Sequence, residues 1–104
     1  MSDYNEAIGL DPRLASAYYN RGNEYYRRGD LDPAIRDFTT THGINRNFAD
    51  ALINRGIAYY YKGNLDLAIS DWKAVSNIDP QYVTASQYAI ARKYYETGIL
   101  KRGY

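Results

Sequence analysis

Apolar and aromatic residues recur along this chain at three- and four-residue spacings, in blocks closed by glycine, proline, aspartate or asparagine. From about Ala15 to Arg28, Tyr18, Gly22 and Tyr25 make one stripe and Tyr19, Asn23 and Tyr26 an adjoining one, which is the period of an α-helix occupied on two faces. Gly29-Asp30 closes that block, since glycine takes the left-handed conformation that ends a helix without steric cost. The next helix is expected to start with Asp32 as N-cap and Pro33 in its first position, and to bury Ala34, Ile35, Phe38 and Thr41 before stopping near His42-Gly43. A helix from about Ala49 to Lys62, a Gly63-Asn64 turn and a helix capped by Asp66 and running to about Ile78 repeat the design, with Asp79-Pro80 as the stop. Before these, residues 3 to 14 read as the end of a helix carrying Tyr4, Ala7 and Ile8. After them, about 82 to 97 reads as a last helix with Tyr88, Ala91, Tyr94 and Tyr95.

These blocks are copies of one another. Asn20-Arg21-Gly22 returns as Asn54-Arg55-Gly56 and Tyr25-Tyr26 as Tyr59-Tyr60, at an offset of 34, and fourteen of the thirty-four positions in residues 15–48 are identical in 49–82. The same offset aligns Asp3 with Asp37 and Asp71, and Tyr4 with Phe38 and Trp72, so residues 3–14 are the tail of an earlier unit. An excerpt of a longer protein is the preferred explanation of that abrupt start. A period of this size marks stacked helical units, none of which can bury its apolar face alone. The expected architecture is an all-α, right-handed superhelix of antiparallel helix pairs. It forms one domain over 1–104, with partial units at 3–14 and 83–104 flanking full units at 15–48 and 49–82.

Composition narrows the function classes. Thirteen basic and twelve acidic residues give a formal charge of +1, too little field for a phosphate backbone, and no apolar run approaches the length of a membrane span. A soluble chain with neither a nucleic-acid nor a membrane partner is expected. Without cysteine there is no thiolate chemistry, and the compartment stays open with the cytoplasm favoured. The thirteen tyrosines stand out, because tyrosine buries a large ring while its hydroxyl seeks a partner, and so suits both core and interface.

With Gly22, Tyr25, Ala34 and Phe38, and again Gly56, Tyr59, Ala68, Trp72 and Pro80, at the signature positions of its small and large residues, the chain resembles tetratricopeptide repeat (TPR) proteins. The likeness covers nearly the whole chain. It departs at Tyr18 and Leu52, where tryptophan is typical, at Thr41 in place of alanine, and at Arg46 in place of proline, so the Thr41 to Arg46 end is expected to be looser than its counterpart. The resemblance implies a docking scaffold whose first helices line a concave groove, formed here by Tyr19, Asn23, Tyr26 and Arg27 in one unit and Ile53, Ile57, Tyr60 and Tyr61 in the next. A peptide or protein segment could lay apolar side chains on the rings while Asn20, Asn23 and Asn54 bond its backbone; the competing role for these tyrosines is to pack the superhelix. Asn23 and Asn54 also match the asparagines of the TPR subclass that clamps a C-terminal carboxylate, but Tyr19 replaces its first lysine and Arg92 and Lys93 are out of register, so that clamp is incomplete.

Arg21 and Arg55 recur where the family often has leucine, alongside the recurring Asp37 and Asp71, which suggests interhelical ion pairs with a structural rather than a ligand-binding role. His42 is the lone histidine; with no cysteine and no second histidine, no zinc set, cofactor site or catalytic triad is expected. Asp30, Asp32 and Asp66 read as caps or turn residues. The leading function is a non-catalytic protein-interaction scaffold that binds a partner segment in the tyrosine-lined groove. The alternative is a self-assembling module whose uncapped ends, with Tyr4, Ala7 and Ile8, meet another copy.

Overall fold

The computed structural model describes residues 1–78. They form five α-helices: α1 (Ser2–Leu10), α2 (Ala15–Arg27), α3 (Leu31–Ile44), α4 (Ala49–Lys62) and α5 (Leu65–Ile78). No strand occurs among the described residues, and the fold is all-α and TPR-like. The expected Asp79-Pro80 stop and the expected helix at 82–97 lie outside them.

Helix starts differ from expectation. The N-cap of α3 is Asp30, and no side chain bonds the exposed amides; Asp32 and Pro33 sit inside the first turn. Asp66 likewise lies in the first turn of α5, where the Ala68 amide reaches the Asn64 carbonyl. A carboxylate in that turn still favours the helix dipole, and Asp32 is further used by an ion pair with Lys62 of α4. The first helix of each pair ends through glycine: Gly29 and Gly63 have φ of 84° and 88°, and the amides of Asp30 and Asn64 reach back to the Tyr25 and Tyr59 carbonyls at 2.9 Å each.

These short turns fold α3 back on α2 and α5 back on α4, while α3 also packs on α4 and α1 on α2. The core is continuous across units, because Ala51 of α4 clusters with Ala34 and Phe38 of α3, under Tyr19, Tyr25, Tyr26 and Phe48. Leu52, Ile53 and Val75 form a second cluster, and Ala68 with Trp72 a third. Within each pair the small residue of the first helix meets the aromatic of the second. A Cβ on Gly22 would lie 2.8 Å from Phe38 Cε1, and one on Gly56 2.7 Å from Trp72 Cδ1, so only glycine allows this approach.

The turns after α1 and α3 are built alike despite Pro12 in one and Arg46 in the other. The Asp11 and Asn45 amides bond the Ala7 and Thr41 carbonyls at 2.9 Å each, and their side-chain oxygens accept the Arg13 and Asn47 amides at 3.0 and 3.1 Å. The bonding shows no loosening at Arg46, since the Asn45 side chain holds the turn. Thr41, in place of alanine, is fully buried and donates its hydroxyl to the Asp37 carbonyl at 2.8 Å.

Candidate functional site

Two kinds of polar arrangement connect the helices. In the first, Arg21 donates from Nε and Nη2 to the two carboxylate oxygens of Asp37 at 2.7 and 2.8 Å, and Arg55 does the same to Asp71 at 2.8 and 2.6 Å. The remaining guanidinium nitrogen reaches the preceding unit: Arg21 Nη1 bonds Asn5 Oδ1 at 2.9 Å and Arg55 Nη1 bonds Thr39 Oγ1 at 3.0 Å. Rings cover both guanidinium groups, Tyr18 at 5.6 Å and Tyr59 at 5.7 Å from the ring centroid. The hydrogen bonds to aspartate push both arginine pKa values further up. Both aspartates are buried and each fork also reaches the preceding unit, so the forks act as clips within and between units.

The second arrangement runs from α2 to α4. Asn54 Nδ2 donates to Asn23 Oδ1 at 2.9 Å and to the Tyr19 hydroxyl at 3.2 Å. Beside it the rings of Tyr26 and Tyr61 lie 6.3 Å apart, and Tyr61 meets Tyr60 edge-on at 5.3 Å. The result is a strip of rings and amides crossing both first helices. Asn23 Nδ2 and Asn54 Oδ1 are the donor and acceptor this pairing leaves over among the described residues.

The expected groove residues divide. Asn20 and Arg27 are exposed, Arg27 pairing with Glu24, and Tyr61 is 50% exposed. Asn23, Tyr26, Asn54 and Tyr60 are half-buried in the strip. Tyr19 leans inward on Phe48 and Phe38, with centroids at 4.9 and 6.0 Å, and Ile57 packs on the second and third clusters. Ile53 must be corrected: it is 9% exposed, clusters with Leu52 and Val75, and its carbonyl accepts Trp72 Nε1 at 3.3 Å, which makes it a core residue. The Asn23–Asn54 link escaped sequence reasoning because its spacing of 31 is not the repeat period. It also ties the two would-be clamp asparagines to each other.

His42 has a buried Nδ1 without a partner in the protein, and burial, followed by the charges of Arg55 and Arg46, lowers its pKa. Among the described residues no three potential ligands gather around a metal position, and no helix is long and apolar enough to cross a membrane.

Comparison with known proteins follows the same boundaries as the helix pairs. Tetratricopeptide repeat family models match residues 15–48 and 49–82. Curated proteins provide no match in sequence. The fold is similar to that in the crystal structure of MamA, with a TM-score of 0.83 and 24% identity, over 94% of this chain and 57% of that one. The chain therefore spans little more than half of MamA's length, and at this identity the likeness concerns the fold.

Proposed function

Because the chain is a member of the tetratricopeptide repeat family, we propose that it is a non-catalytic scaffold that holds a peptide segment of a partner protein along the α2–α4 strip. Repeats of this family generally mediate protein–protein interaction. The observation that carries the finer reading is the row Tyr26–Tyr61–Tyr60 beside the Asn23–Asn54 pair. Rings offer apolar contact with little side-chain entropy to lose, and the leftover amide donor and acceptor suit a peptide backbone. The site residues on this reading are Asn20, Asn23, Tyr26, Arg27, Asn54, Tyr60 and Tyr61.

A displayed peptide library selected against the whole chain tests this. The selected peptides are expected to bind the Tyr61→Ser, Asn23→Ala double variant roughly ten- to thirtyfold more weakly, the effect of losing one strong interface contact. They should bind Leu67→Ser, altered at an exposed position of α5, as they bind the unaltered chain. Equal affinity for the double variant and the unaltered chain would defeat the reading.

A further inference from the structure

Two consecutive residues of α4 tie the full units together from two sides. Asn54 reaches α2 through Asn23 and the Tyr19 hydroxyl, and Arg55 reaches α3 through Thr39 Oγ1 at 3.0 Å while gripping Asp71 of its own unit. Neighbours on one helix move together, so whatever shifts Arg55 against α3 also shifts Asn54 against α2.

His42 stands at this joint. It follows Thr39 by three residues, one turn along the same face of α3, and its Nδ1 is buried without a partner in the protein although the ring as a whole is half-buried. The charged groups that face it among the described residues are Arg55 from α4, Arg46 from the α3–α4 turn and Asp71 from α5. Helix α2, which also packs on α3, directs its Arg21 to Asp37 instead. A neutral ring fits this setting with its hydrogen on Nε2, because Nδ1 then buries only a lone pair. A second proton turns Nδ1 into a buried donor and sets a positive charge beside two arginines. Asp71, the one acid that faces the ring, already gives both carboxylate oxygens to Arg55. The charged ring finds relief by drawing Asp71 away from Arg55 or by turning out to water, and either movement disturbs the contact between Thr39 and Arg55.

We infer that His42 is a proton switch on the α2–α4 strip: neutral, it lets α3 stay joined to α4 and the Asn23–Asn54 link hold; protonated, it loosens that joint and releases the segment bound there. The release rests on the strip being the binding site, whereas the loosening of the joint does not. Burial and the charge of Arg55 hold the ring neutral to lower pH than a free histidine, so the joint is closed at neutral pH and opens in mild acid.

The test titrates the full chain from about pH 7.5 to about pH 5, above the range of ordinary carboxylates. In the free chain, the NMR signals of Arg55 Nε–H and of the Asn23 and Asn54 side-chain amides are expected to move with the midpoint of the His42 ring protons, at unchanged helix content by circular dichroism. His42→Ser, which copies the equivalent Ser76, should hold them still. A library-selected peptide that maps to the strip should bind the unaltered chain about tenfold more weakly at the acid end, and His42→Ser equally well at both ends. Strip signals that stay fixed while His42 titrates, a ring still neutral at the acid end, movement that survives His42→Ser, or helix content lost with the same midpoint would each overturn the switch and leave the strip standing as the binding site. Peptides that map elsewhere would overturn the release together with the strip reading, while the free-chain titration would still decide the joint.

Discussion

Arg55 on α4 grips Asp71 on α5 with two parallel hydrogen bonds, at 2.8 and 2.6 Å, and both side chains are largely out of water, at 16% and 6% exposure. Taking these charges from solvent is costly, and their planar, two-bonded geometry offsets the cost only while both are present. The same clip at Arg21 and Asp37 makes each unit depend on one arginine where this family often has leucine.

Arg55→Leu should therefore destabilise the chain by about 3 kcal/mol in urea unfolding, because it strands a buried carboxylate. The double variant Arg55→Leu, Asp71→Leu should recover much of that loss. Unchanged stability in the single variant, with partner binding lost, would instead make Arg55 a ligand-binding residue.

Two glycines should respond in opposite directions. Gly56→Ala forces its Cβ against the Trp72 ring and is expected to cost on the order of 2 kcal/mol. Gly43, inside α3 with open space around it, should gain about 0.5–1 kcal/mol on replacement by alanine. Thermal unfolding of both variants checks the pair.

Acid should weaken the fold through His42. Burial and the neighbouring Arg55 and Arg46 hold its folded pKa below the unfolded value, so on acidification the unfolded chain takes up its proton first. The stability is intact above about pH 6.5 and is lost as pH falls through the lowered folded value. His42→Ser, the residue found at the equivalent Ser76, should flatten this part of the stability curve.

Asp32 separates the two accounts of how α3 begins. As an N-cap its replacement by alanine would cost about 1 kcal/mol. With Asp30 as the N-cap and Asp32 in an exposed pair with Lys62, the expected loss is below about 0.5 kcal/mol by the same urea measurement.

Much of the fold could be read from residue order because the packing itself is periodic: Gly22 meets Phe38, Gly56 meets Trp72, Arg21 pairs with Asp37 and Arg55 with Asp71, all at the one separation of 16 residues. What could not be read lacks that recurrence. Asp30-Leu31-Asp32-Pro33 contains two candidate caps, and periodicity does not choose between them. Ile53 shares the period of the groove positions, but Val75 and the Trp72 indole draw it inward. Asn5 and Thr39 occupy one place in the pattern with different side chains, so their common bond to arginine is visible only in three dimensions.

The central claim is that stacked helix pairs leave the α2–α4 strip for a partner segment. Amide NMR mapping of the tightest library-selected peptide on the full chain tests it most directly. The account predicts perturbations at Asn23, Tyr26, Asn54, Tyr60 and Tyr61; perturbations confined to the exposed positions of α3 and α5, such as Arg36 and Leu67, would contradict it.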